Sequence, residues 1–92
     1  MIARRVVIRG RVQGVGFRYA LIGAATAAGV VGWVRNRRDG SVEAWLQGGD
    51  AAVAAAIEWG RLGPPGARVE ALDVTEGTPD AALVAFELRA TA

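Results

Sequence analysis

The chain has 92 residues, which is room for one domain, and we expect residues 1–92 to form it. It contains 11 Arg and nine acidic residues but no Lys, His or Cys. This composition excludes disulfide frameworks, thiolate nucleophiles, Cys-ligated metal sites and any mechanism that needs an imidazole. An enzyme built from it works with Arg, Asn, carboxylates and backbone amides, and we expect no cofactor and no metal.

The net charge of +2 conceals an uneven distribution along the chain. Residues 1–38 carry eight Arg and no acid, whereas residues 39–92 carry three Arg and all nine acids. One part of the surface should therefore be strongly positive and attract anions.

Neither a membrane span nor a signal peptide is visible. The longest segment without a charge, residues 19–34, has 16 residues, fewer than the roughly 20 that a span requires. The N-terminus runs directly into an alternating pattern. We predict a cytoplasmic protein with no membrane partner.

The first half of the chain predicts a strand, a glycine loop, a helix and a second strand. Residues 5–12 alternate between apolar and polar, which is typical of a strand with one buried face. The loop at 13–18 leads into an Ala-rich helix that ends near residue 28 and is capped by Gly29. Residues 30–36 form the second strand.

The second half predicts a hairpin, a second helix and two more strands. Asp39-Gly40 is a hairpin turn, and Asp50 is the expected N-cap of a helix over residues 51–61. The second strand of the hairpin is predicted over residues 41–47, and the two further strands over residues 68–75 and 82–89.

The resulting order, β-α-β-β-α-β with an added C-terminal strand, predicts an α+β, ferredoxin-like sandwich with both helices on one face of a mixed sheet. We expect strand two to run beside strand one. The open face should carry Arg9, Arg11, Glu43 and Trp45.

The loop between the first strand and the first helix has the residue types of an anion site. Gly14 and Gly16 permit positive φ, which lets successive N–H groups converge, and the helix N-terminus adds further donors. Arg18 can place a planar guanidinium beside the same donors. A tight turn followed by a solvated Arg is an equally supported interpretation of this spacing. The segment matches neither the P-loop nor the dinucleotide-binding pattern.

Two segments carry a resemblance to a known family. Val-Gln-Gly-Val-Gly-Phe-Arg at residues 12–18 closely resembles the first signature of the acylphosphatases, and Gly-Trp-Val-Arg-Asn at 32–36 resembles the second. The hairpin at 39–43 and the stretch at 63–69 also match, so the resemblance spans roughly residues 5–89 without an apparent insertion.

The resemblance implies a hydrolase that cleaves the carboxyl–phosphate anhydride of acyl phosphates to carboxylate and inorganic phosphate. In that family the signature Arg, here Arg18, and the loop amides hold the phosphoryl group. The signature Asn, here Asn36, holds the attacking water. Taken alone, Asn36 before Arg-Arg-Asp-Gly favours an ordinary turn residue over a catalytic one, and it is the family match that favours catalysis. The loop positions implied to bind the phosphoryl group are Gln13, Gly14, Val15, Gly16, Phe17 and Arg18, and Phe17 is expected mainly to anchor the loop.

Two departures from the family pattern concern surfaces. The first helix carries no charge on its outer face, which is where self-association would occur, although a monomer is favoured. Arg37 and Arg38 follow the signature Asn; we interpret them as a solvated turn, the alternative being a gain in phosphate affinity.

Two other functions compete with the hydrolase interpretation. A non-enzymatic module binding anions or RNA would use the open sheet face, but strand one carries no aromatic residue there, which makes nucleic acid a weak candidate. Similar domains also begin large hydrogenase-maturation carbamoyltransferases. The absence of zinc-finger cysteines favours a free-standing enzyme.

Overall fold

The structure, a computed structural model, describes all 92 residues as two helices packed on one face of a five-stranded sheet. The elements are β1 (Ile2–Arg11), α1 (Phe17–Ala27), β2 (Val31–Asn36), β3 (Val42–Gly48), α2 (Asp50–Leu62), β4 (Arg68–Gly77) and β5 (Phe86–Leu88). This order and architecture confirm the predicted ferredoxin-like α+β fold. Neither helix has the length and apolar character that crossing a membrane would require.

The strands lie in the order β4-β1-β3-β2-β5, so the expectation that strand two runs beside strand one is wrong. β3 lies between them and pairs antiparallel with both. The reason is local: the short turn at 37–40 pairs β3 with β2, and the crossover through α1 leaves one strand's width open for β3. Because β3 opposes both neighbours, β1 and β2 remain parallel and end at the same edge of the sheet.

The core lies between the sheet and the helices. Val6, Ile8, Val34, Ala44 and Leu46 supply the sheet side of one buried cluster. The helices contribute every third or fourth residue to that cluster, namely Phe17, Leu21 and Ala25 from α1 and Val53 and Ala56 from α2.

Three local predictions are corrected. β1 begins at Ile2 rather than residue 5, and β5 spans only Phe86–Leu88 instead of residues 82–89. Asp50 is the first residue of α2 and Gly49 is the N-cap, with no side-chain capping bond. Asp50 therefore favours the helix through its charge in the first turn, where carboxylates interact well with the helix dipole.

Two glycines have backbone conformations that other residues rarely adopt, and Gly29 caps α1 as predicted. Gly29, directly after α1, has φ 76°, the left-handed conformation of a helix C-terminus. At Gly10 the pairing of β1 with β4 shifts register, and a side chain there would collide with the carbonyl oxygen of Arg68. Gly10 thus marks both a bulge and a close backbone approach.

The open face of the sheet contains a buried ion cluster at its centre. The Glu43 carboxylate is only 3 % exposed and lies between two guanidinium groups. Arg5 contacts it at 2.5 Å and Arg35 at 2.6 Å. Burial raises the pKa of Glu43, but hydrogen bonds from Arg35 and Arg5 outweigh it, so the pKa lies below its ordinary value.

Candidate functional site

The glycine loop joins the end of β1 to the start of α1 with two left-handed residues. Gly14 has φ 74° and Gly16 has φ 77°, and Gly16 is the N-cap of α1. No non-glycine residue of the chain adopts positive φ, so the loop depends on glycine at these two positions.

The backbone N–H groups of this loop are free. None of those at residues 13–16 donates a hydrogen bond to another group of the protein. The N-terminus of α1 has no side-chain cap and no acid in its first turn. Unpaired N–H groups and the positive end of a helix dipole therefore meet at one place, which is the arrangement that binds small anions.

Two apolar side chains hold the loop against the core. Phe17 is 2 % exposed and packs edge-to-face on Trp59 of α2, with ring centroids 5.5 Å apart. Val15 packs against the same buried cluster. This arrangement agrees with an anchoring role for Phe17, because its ring is buried while its backbone lies in the first turn of α1.

Gln13 links the loop to the β2–β3 hairpin. Its Nε2 donates hydrogen bonds to the carbonyl oxygens of Arg37, at 2.8 Å, and Ser41, at 2.9 Å. Sequence analysis placed Gln13 in the loop but missed this contact, which spans 24 and 28 residues of chain. The side chain therefore fixes the distance between loop and hairpin, and only its backbone is left for an anion.

Asn36, the last residue of β2, has an unsatisfied side-chain oxygen. Its Oδ1 is buried and has no hydrogen-bond partner in the protein. Val42 on β3 is the register partner of both Asn36 and Ile8 of β1, so Asn36 lies level with β1 shortly before the glycine loop begins. A buried acceptor without a partner costs free energy, and such groups call for a ligand or a water molecule.

Arg18 is the second residue of α1 and is half-buried. No carboxylate lies within 4.0 Å of its guanidinium, although seven other ion pairs are present in the molecule. Its five N–H donors are therefore available for a planar, bidentate contact with an anion.

The hairpin beside Asn36 is held by Asp39. Ser41 donates to Asp39 Oδ1 from its hydroxyl at 2.6 Å and from its backbone N–H at 2.9 Å. These two bonds, together with the charge of Arg37 and a hydrogen bond from Arg9, lower the pKa of Asp39 to about 2. Asp39 is thus ionised at neutral pH, and its carboxylate stabilises the turn between β2 and β3 by accepting these hydrogen bonds.

The C-terminal segment also reaches this edge, which sequence analysis did not anticipate. Beyond β5 the backbone continues beside β2: Ala92 N donates to Asn36 O at 3.0 Å, and Arg38 N donates to Ala92 O at 2.8 Å. The backbone around Asn36 is therefore held from both sides, by β3 and by the last residue of the chain.

The cavity of the molecule lies elsewhere. An apolar cleft of about 470 Å³ at the opposite end of α1 is lined by Thr26, Val30, Val31, Val84 and Phe86, among others. It holds no charged side chain and is separated from the glycine loop by the length of the helix. A site that grips a small anion with backbone N–H groups does not need a deep pocket, so the absence of a cavity at the loop is no conflict.

Comparison with known proteins identifies the family of the chain. A family model described as acylphosphatase matches residues 4–88. An acylphosphatase from Pyrobaculum calidifontis is 55 % identical over 75 residues, covering 80 % of this chain and 68 % of the relative. One from a Synechococcus species is 52 % identical over 86 residues, covering 94 % and 90 %. The crystal structure of an acylphosphatase from Bacillus subtilis superposes with a TM-score of 0.92 at 36 % identity, covering 97 % of this chain and 99 % of that one.

Proposed function

The chain belongs to the acylphosphatase family, and on that premise we propose that it hydrolyses acyl phosphates with the glycine loop, Arg18 and Asn36 as its active site. The observation that carries the proposal is the meeting of free N–H donors with a buried, unpartnered acceptor at one edge of the sheet. The donors fit a phosphoryl group and the acceptor fits a water molecule.

The phosphoryl group binds to the loop. The N–H groups of Gly14, Val15 and Gly16 and the first turn of α1 surround its oxygens, and Arg18 adds a charged double contact. Negative charge on the equatorial oxygens must be stabilised during phosphoryl transfer, and donors that are already fixed do so without rearranging. Phe17, Val15 and Gln13 supply that rigidity through their contacts with α2, the core and the hairpin.

Asn36 binds the nucleophile. Its Oδ1 accepts a hydrogen bond from a water molecule and holds the water oxygen in line with the leaving acyl oxygen. The water oxygen forms a bond to phosphorus as the bond between phosphorus and the acyl oxygen breaks, and the carboxylate leaves with the electron pair. An amide cannot take the proton at neutral pH, so the proton passes to a phosphate oxygen. A carboxylate leaves readily without a general acid, which suits a site without His.

The open sheet face does not favour the RNA-binding alternative. Trp33 lies on that face, but guanidinium groups of Arg35 and Arg89 are stacked on its ring at 4.9 and 5.0 Å from the centroid. RNA bases stack on exposed aromatic rings, and the ring of Trp33 is already stacked with these two guanidinium groups. A cytoplasmic location and a monomeric state remain predictions of the sequence.

Hydrolysis of benzoyl phosphate by the purified protein, compared with Arg18→Ala and Arg18→Lys, tests the proposal. We expect turnover by the native chain, loss of most activity and phosphate affinity in Arg18→Ala, and only partial rescue by Lys, because a point charge cannot reproduce the planar double contact. Arg61→Ala, which removes an exposed arginine paired with Glu58 on α2, is the control and should be fully active. Near-native turnover by Arg18→Ala would remove Arg18 from the mechanism.

A further inference from the structure

The end of the sheet that holds the glycine loop carries a group of arginines without acidic partners. Four of them have no carboxylate within 4.0 Å: Arg11, Arg18, Arg38 and Arg68. Arg11 is the last residue of β1 and is the register partner of Arg68, the first residue of β4. Arg38 lies in the hairpin that Gln13 ties to the loop. Two like charges facing each other across paired strands are unfavourable, so this arrangement needs a reason.

Few acids are present at this end to balance the arginines. Asp39 is engaged by Ser41 and also faces Arg9 and Arg37, and Glu70 is two residues beyond Arg68. Most other acids lie at the opposite end or in the middle of the sheet. Asp50 begins α2, Glu76 lies near the end of β4 and opposite Arg4, and Glu43 is neutralised by two guanidinium groups.

The loop and Arg18 suffice for the phosphoryl group in the proposed function, so Arg11, Arg38 and Arg68 are in excess of what that group needs. All three are exposed and solvated. They act through the field that they add around the glycine loop, because Arg11 lies two residues before Gln13 and Gln13 holds the hairpin of Arg38 against the loop.

We propose that this enzyme prefers acyl phosphates whose acyl part carries a second negative charge, such as a carboxylate, over neutral acyl phosphates of the same size. The inference rests on the proposed function and extends it to the substrate class. Arg11, Arg38 and Arg68 act as specificity-determining residues and take no part in bond making or breaking.

The test compares succinyl phosphate with its monomethyl ester, which has nearly the same shape but no charge on the acyl part. At low ionic strength kcat/KM should favour succinyl phosphate by about threefold to tenfold, and the ratio should fall towards one in about 0.5 M salt. The double variant Arg11→Gln/Arg38→Gln should lower the ratio at least about twofold while retaining hydrolysis of the ester.

Arg4→Gln is the matched control. Arg4 also has no carboxylate within 4.0 Å, but it lies near the start of β1, far from the loop, and its loss should leave the ratio unchanged. A ratio of one or less at low salt would overturn the preference, and so would an equal effect of Arg4→Gln and the double variant. Failure to hydrolyse either compound would overturn the proposed function and this preference together, whereas equal rates would overturn only the preference.

Discussion

Gln13 and Asn36 lie at the same edge of the sheet and have similar amide side chains, but they differ in their hydrogen bonding. The Gln13 amide makes two hydrogen bonds to the hairpin, while the Asn36 oxygen is buried without a partner. The first therefore stiffens the site, and the second remains ready for a ligand. Single-residue chemistry alone could not distinguish them, because the difference depends on contacts between segments far apart in sequence.

Residues whose role is set by local backbone were predictable. Gly14, Gly16 and Gly29 were expected to support turns or caps, and all three have positive φ. The placement of Asp50 as an N-cap failed because Gly49 is also accepted at that position, and neighbouring residues of this kind cannot be told apart by propensity alone. Glu43 was expected on an open face, yet two cross-strand arginines bury it.

Glu43→Gln tests that ion cluster. The substitution keeps the shape but removes the charge that Arg5 and Arg35 share, and we expect a loss of roughly 2 kcal/mol in the free energy of unfolding at pH 7. Folding lowers the pKa of Glu43 below its ordinary value of 4.5. The ionised carboxylate therefore stabilises the fold at pH values above 4.5, and this contribution is lost as the pH falls through the lowered pKa. The difference between native and variant should therefore shrink in acid.

Glu87→Gln provides the comparison, because Glu87 lies 3.8 Å from Arg89 and both side chains are about half exposed. Exposed pairs of this kind contribute little, so this variant should unfold nearly like the native chain. Denaturant unfolding between pH 3 and 7 measures both. Equal stability of Glu43→Gln and native protein at pH 7 would show that the cluster contributes nothing net.

At the scale of elements, the sequence predicts the order of helices and strands along the chain but not which strands are neighbours in the sheet. Hydrophobic periodicity and turn residues specify each element locally, whereas the position of β3 between β1 and β2 is a property of the assembled sheet. Strand five was predicted too long because residues 82–85 contain apolar side chains but form a turn and a bend, so regular pairing with β2 begins only at Phe86. No local sequence pattern predicts that the segment after Leu88 continues beside β2 as far as Asn36.

The contact between the C-terminus and β2 predicts an effect on turnover. Ala92→Pro removes the N–H that donates to Asn36 O, so the Asn36 backbone is held less firmly. We expect kcat for benzoyl phosphate to fall about threefold or more with little change in phosphate affinity, since the glycine loop is untouched. Ala90→Pro is the control, because the N–H of Ala90 makes no hydrogen bond within the protein. Equal kcat values for the two variants would show that this contact does not position Asn36.

At the scale of the whole molecule, the charges are unevenly distributed along the chain. The arginine-rich first 38 residues contain β1, the glycine loop and β2, and topology brings the ends of those segments to one edge. A strongly positive surface at this edge stays a prediction of that charge asymmetry. The folded chain shows that Arg11, Arg18, Arg38 and Arg68, which have no carboxylate within 4.0 Å, lie at the end of the sheet that holds the free loop N–H groups.

Inorganic phosphate should consequently stabilise the fold and inhibit hydrolysis competitively. A ligand at 100 times its dissociation constant adds about 2.7 kcal/mol to the free energy of unfolding, which is readily seen as a rise in Tm. Melts in phosphate and in sodium chloride of equal ionic strength separate specific binding from screening. Arg18→Ala should lose most of the rise; an identical response of native and variant chains would place phosphate outside the loop.

The division of labour between Arg18 and Asn36 is the central claim, and Asn36→Ala tests it most directly. Turnover of benzoyl phosphate and affinity for inorganic phosphate are measured side by side for Asn36→Ala and Arg18→Ala. Because Asn36 contacts only the water, its loss should lower kcat roughly a hundredfold or more while phosphate affinity stays nearly native. Arg18→Ala should lose both, since Arg18 contacts the phosphoryl group throughout. If Asn36→Ala keeps its turnover, or loses phosphate affinity as severely as Arg18→Ala, the water-binding role of Asn36 is contradicted.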